Sequence, residues 1–117
     1  MTKAGTIEAA KALRLVDLIA PAPHGIASRV LAKTGGGNVT LFAFDAGEGL
    51  SEHTAPFDAL VLVLDGNLDL TIGGEAVPAA AGTIVRMPAN VPHAVDARDP
   101  SRMLLIMLRE PKTESIS

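Results

Sequence analysis

The chain has 117 residues, a length that suits one domain. Its net charge of −3 and its scattered Lys and Arg residues argue against a nucleic-acid partner. The absence of Cys excludes disulfides, thiolate ligands and Cys nucleophiles, and the absence of Tyr and Trp leaves an aliphatic core with three Phe.

In chain order, residues 2–12 are polar and Ala-rich, and Thr6 is placed to cap a short helix. An apolar segment around Leu13, Leu15 and Ile19 ends at Pro21-Ala22-Pro23, where the prolines stop regular structure. From residue 26 the pattern becomes short apolar runs divided by turn residues. Strands are expected over Ile26–Ala32, Val39–Phe44, Ala59–Leu64, Leu68–Ile72, Glu75–Pro78, Thr83–Met87, His93–Asp96 and Arg102–Leu108. Asp45-Ala-Gly-Glu-Gly49, Asp65-Gly66 and Gly73-Gly74 read as turns. Strands at this spacing with no long helix between them predict an all-β sandwich or barrel. The expected organisation is an N-terminal helix or arm over 1–25, a barrel over 26–108 and a polar tail over 109–117. No apolar run approaches the roughly 20 residues that span a bilayer. Met1–Ala12 has no apolar core of signal-peptide length, so the expected compartment is the cytoplasm with no membrane partner.

Two stretches carry a family resemblance. Residues 47–66, GEGLSEHTAPFDALVLVLDG, resemble the first cupin motif, G-x5-H-x-H-x3-4-E-x6-G. Gly47, His53 and Gly66 are in register, whereas Ala55 stands at the second His and Ala59 at the Glu. Residues 82–97, GTIVRMPANVPHAVDA, are similar to the second motif, G-x5-P-x-G-x2-H-x3-N. Gly82, Pro88 and His93 match. Asn90 replaces a Gly, a mild change because Asn tolerates a left-handed backbone, and Ala97 replaces the final Asn. The resemblance implies an all-β fold of the cupin double-stranded β-helix (jelly-roll barrel) type, and the short N-terminal helix expected from residues 2–12 would precede it. It also implies an active end around His53 and His93, and a homodimer as the assembly.

Complete cupin motifs place three His and one Glu in the barrel around a divalent metal. Here His53 and His93 remain as candidate metal ligands, and the implied cofactor is a weakly bound divalent transition metal or none. The two imidazoles have two other readings, a hydrogen-bonded pair in a polar pocket and a metal-free acid/base pair. Glu48, Glu52, Asp58, Asp96 and His24 are the nearby replacement donors, although strand parity turns Glu52 and Asp58 away from the barrel. The candidate pocket comprises Ala55, Ala59, Met87 and Arg86. Arg86 has two readings: outward and solvated, or inward and paired with a carboxylate. Met103 and Met107 read as core. Because both ligand losses are to Ala, the pocket becomes wider and more apolar. The expected function is therefore the binding of a small apolar or amphipathic molecule near His53 and His93. The alternative is a metal-dependent oxygenase, isomerase or lyase with a two-His ligand set.

Overall fold

The computed structural model describes residues 6–110. Nine strands run in chain order: β1 Ile26–Thr34, β2 Gly37–Phe44, β3 Gly49–His53, β4 Asp58–Asp65, β5 Asn67–Ile72, β6 Glu75–Ala80, β7 Ile84–Met87, β8 His93–Ala97 and β9 Ser101–Leu108. They form two antiparallel sheets, one ordered β1-β2-β9-β4-β7 and the other β3-β8-β5-β6. The eight strands expected from the sequence are all present. The strand missing from that reading is β3, whose residues Gly-Leu-Ser-Glu-His carry too little apolar character to signal a strand.

Alternation builds the core. Ala59, Val61 and Val63 of β4 are buried and face Leu68 and Leu70 of β5, Val95 and Ala97 of β8, and Phe44 and Met103. Gly66 is a corner. One residue links β4 in the first sheet to β5 in the second, and no β4–β5 ladder forms, so Asp65-Gly66 is a sheet-to-sheet crossing and not a hairpin. Ser101 locks this corner: its hydroxyl accepts from Asn67 N at 3.0 Å and lies 2.7 Å from the Asp99 carbonyl oxygen, to which it donates.

The N-terminal helix is replaced by a single 3-10 turn at Leu15–Asp17. Residues 6–12 hold no helix, Ala10 is left-handed at φ 58°, and residues 2–5 lie outside the described residues. A run this short has no apolar stripe to dock, and a capping residue alone does not offset helix nucleation. The segment instead lies over the outer face of the five-stranded sheet. Ile7 N donates to Leu31 O at 3.1 Å, and the Leu18 and Ile19 carbonyls accept from Arg29 and Arg102. Arg29 pairs with Leu41 and Arg102 with Ala43, and both apolar residues on that outer face are fully buried. Of the expected tail, 111–117 lie outside the described residues. Among the described residues no helix is long and apolar enough to cross a membrane.

Candidate functional site

β3 and β8 bring the two motif histidines together. Leu50 pairs with Val95 and His53 with His93, so three residue steps on β3 match two on β8. The extra residue is a β-bulge at Ser51–Glu52. Without it, Leu50 and His53 would point to opposite faces. The bulge turns His53 inward and leaves Glu52 exposed, so the kind of irregularity that could bring Glu52 in as a ligand serves His53 instead. Asn90, left-handed at φ 63° as its place in the motif requires, shapes the turn before β8, and its N–H donates to Ala55 O at 2.7 Å.

The pair is asymmetric. His93 is 4% exposed, while His53 is an exposed residue at the mouth of the cavity. Their Nε2 atoms are 3.1 Å apart and the rings meet edge to face at 72°. Each Nδ1 faces a backbone carbonyl two residues back, Ser51 O at 2.9 Å and Val91 O at 3.1 Å. This makes a line of three polar contacts, from carbonyl through two rings to carbonyl. Carbonyl oxygens only accept, and two neutral imidazoles carry one ring proton each. Two protons cannot fill three contacts. The line is complete only if the pair gains a third proton or if a guest at the Nε2 atoms supplies the missing partner.

The surroundings are apolar. Leu50, Ala55, Phe57, Ala59, Met87 and the inward side of β9 close around the two rings, leaving a cavity of about 40 Å³. Ala55, Ala59 and Met87 line it. Met103 and Met107, read from the sequence as core alone, line it too. Arg86 does not. It sits opposite Leu60 on the outer face, its side chain is 61% exposed, and it pairs with Asp58 at 2.9 Å. Parity is the reason, because its neighbour Met87 takes the inward position. The carboxylate it pairs with is likewise outside. The Ala89 N–H and the Arg86 guanidinium hold the Asp58 carboxyl below the usual carboxylate range, which ties the start of β4 to the loop leading to His93.

The other replacement donors also miss the site. Asp96 alternates out between buried Val95 and Ala97. His24 is at the far end of the barrel, where its N–H donates to Asp45 just beyond Phe44. Phe44 pairs with Ser101 at the start of β9, whereas the cavity lies by Met107 near the end of that strand. Among the described residues no three His, Asp or Glu side chains gather into a metal-binding group. The His–His spacing itself suits a cation. Two ligands bound at about 2.0–2.1 Å stand about 3 Å apart at a right angle and about 3.4 Å apart at a tetrahedral angle. The residues present thus supply two adjacent nitrogens, and the four-donor group of complete cupin motifs does not fit them.

The sequence reading missed Phe57 and Leu50. Counting back two residues from Ala59 gives Phe57, but no strand signal covers residues 54–57 to justify extending the parity.

Comparisons agree with this geometry. Residues 40–108 match the model of the cupin domain. A conserved protein of unknown function from Streptococcus pyogenes is 33% identical with a TM-score of 0.86, over 94% of this chain and 96% of that one. A cupin superfamily protein from Desulfitobacterium hafniense is 26% identical with a TM-score of 0.84, over 93% of this chain and 100% of that one. A cupin 2 conserved barrel domain protein from Leptotrichia buccalis is 35% identical with a TM-score of 0.80, and the match covers 83% of this chain and about half (47%) of that longer one. With two sheets in jelly-roll order, both motif histidines on one cavity and a domain match over most of the barrel, the chain belongs to the cupin family.

Proposed function

We propose that this cupin binds a small amphipathic molecule in its barrel, with the His53–His93 pair as the polar anchor and the Ala, Leu and Met walls holding the apolar part. The observation that carries this reading is the three-contact line, which two neutral imidazoles would leave one donor short, set in an otherwise apolar cavity. A ligand hydroxyl supplies a donor to one Nε2 that the neutral pair leaves without one, and hydrocarbon suits every other wall. At about 40 Å³ the cavity holds little more than one water, so a larger guest needs a side chain to move. The test is a titration of the labelled full chain with primary alcohols, followed at the Ala59 and Val95 amides. Both should shift in the native chain, and His93→Leu should weaken binding by about tenfold, the loss of one buried hydrogen bond. Alcohols that leave these amides unmoved, or bind the variant equally well, would remove the reading.

The 3.1 Å Nε2 spacing favours a second reading, a metal-dependent enzyme with a two-His ligand set. Elemental analysis of untagged protein separates the two. Near one transition metal per chain, absent in His53→Ala, supports the enzyme, and no metal after soaking with nickel or zinc supports the metal-free binder.

We further infer a homodimer through the outer face of the five-stranded sheet. An antiparallel sheet with a solvated face alternates apolar and polar residues. Here the outer positions beyond the N-terminal segment are Leu60, Leu62, Leu104, Ile106 and Ile84, adjacent on paired strands, and Ile84 is 59% exposed. The charges beside them, Asp58–Arg86 and Asp65–Arg102, are paired within the chain, so little net charge opposes a second copy of the same face. Light scattering should give a dimer for the native chain and a monomer of unchanged fold for Ile84→Glu. A native monomer at high concentration would refute the dimer.

A further inference from the structure

We infer that the His53–His93 cavity is the inner half of a two-part ligand site, that the Phe57 ring is the partition, and that the outer half recognises a carboxylate through Arg109. This inference rests on the binding reading above. Outside the cavity lies a surface groove of about 660 Å³, lined by Pro56, Phe57, Asp58, Ala89, Leu108 and Arg109, with Glu110 at its margin. Among the described residues Phe57 alone lines both spaces. It sits on the connection between β3 and β4, outside both ladders, so its ring can turn without breaking a sheet hydrogen bond.

Arg109 keeps that ring in place. Its guanidinium lies 5.1 Å from the centre of the Phe57 ring, and its backbone N–H is fixed on Gly36 O at 2.8 Å. Arg109 forms no ion pair among the described residues. Of the two acids in the groove, Asp58 is occupied by Arg86 and the Ala89 N–H, and Glu110 makes no ion pair with Arg109. Among the described residues the guanidinium is thus without a carboxylate partner, a planar cation over the door of an apolar cavity. A guest that displaces the ring removes the cation's aromatic partner, and a carboxylate on that guest replaces it. The chemistry that fits both halves is a short hydroxy acid. Its carboxylate meets Arg109, its hydrocarbon passes where the ring stood, and its hydroxyl reaches the His pair.

The experiment titrates the full chain with ω-hydroxycarboxylates of about four to eight carbons and with the diols of matching length. The readouts are the Ala89 and Leu108 amides outside and the Ala59 and Val95 amides inside. The acids should bind at least about tenfold more tightly than their diols. Arg109→Gln should erase that preference while diol binding persists, and Phe57→Ala should speed ligand exchange without erasing it. Equal binding of acid and diol, or a preference that Arg109→Gln leaves intact, overturns the outer half and leaves the cavity reading standing. If neither series moves the inner amides, the cavity reading fails and this inference with it.

Discussion

Gly66→Ala should lower the stability of the barrel by about 3 kcal/mol or more, the sum of a left-handed backbone penalty and overpacking. Gly66 has φ 79°, and a Cβ there would overlap the Ser101 hydroxyl and the Pro100 carbonyl oxygen and come within 2.7 Å of Ser101 Cα. Neither obstacle can yield easily. The Ser101 hydroxyl is bonded to Asn67 and Asp99, and Ser101 itself is 1% exposed. The residue that ends the first cupin motif is thus a glycine because two sheets meet across it. Gly74 supplies the control. Its φ is 83°, but a Cβ there would meet nothing within 4 Å, so Gly74→Ala should cost only about 1–2 kcal/mol for the backbone alone. At this length each kcal/mol moves Tm by about 3–6 °C. Thermal melts should therefore put Gly66→Ala at least about 10 °C below the native chain and clearly below Gly74→Ala. Equal melting of the two variants would show that the corner is not tightly packed.

The same corner marks what the sequence can convey. Parity counted from the motif position of Ala59 puts Val61 and Val63 on the inward face, because side-chain direction on a strand has a period of two, whereas hydrophobic pattern alone could not sort β4 and β9, which are apolar on both faces. The left-handed turn at Asn90 is legible for a similar reason, since few residues accept that conformation. Three features were not legible. β3 is polar and lies at a sheet edge, so it leaves no hydrophobic trace. The bulge at Ser51–Glu52 depends on pairing with β8, a partner 40 residues away in sequence at the His53–His93 contact. Arg109 approaches Phe57 only because β9 lies beside β4, which is a matter of sheet order and not of local pattern. Of the two readings of Arg86, the outward one holds, and parity alone decides it. Met87 is inward, so its neighbour must be outward unless a bulge intervenes, and β7 has none where it pairs with β4.

The double variant Ala55→His/Ala59→Glu should convert the site into a transition-metal centre. Both alanines line the cavity beside His53 and His93, and Ala59 is buried between Met87 and Met107 across the paired strands. The two substitutions return the donors that complete cupin motifs carry, giving three imidazoles and a carboxylate where the native chain offers two imidazoles. Two effects of opposite sign follow. Without metal, the added atoms exceed a cavity of about 40 Å³, and overpacking costs about 1–3 kcal/mol at each site. With nickel or zinc at about 100 times its dissociation constant, binding returns about 2.7 kcal/mol through linkage, a rise in Tm of about 10 °C over the metal-free variant. The native chain should gain much less under the same conditions, because two imidazoles leave most of the coordination sphere to water. If the native chain gains as much as the variant, the His pair already suffices as a metal site and the enzyme reading takes precedence. A variant that folds but gains nothing from metal would mean that the barrel holds these positions in a geometry unsuited to four ligands. The alanines would then follow from the shape of the cavity and would not be the cause of the missing centre.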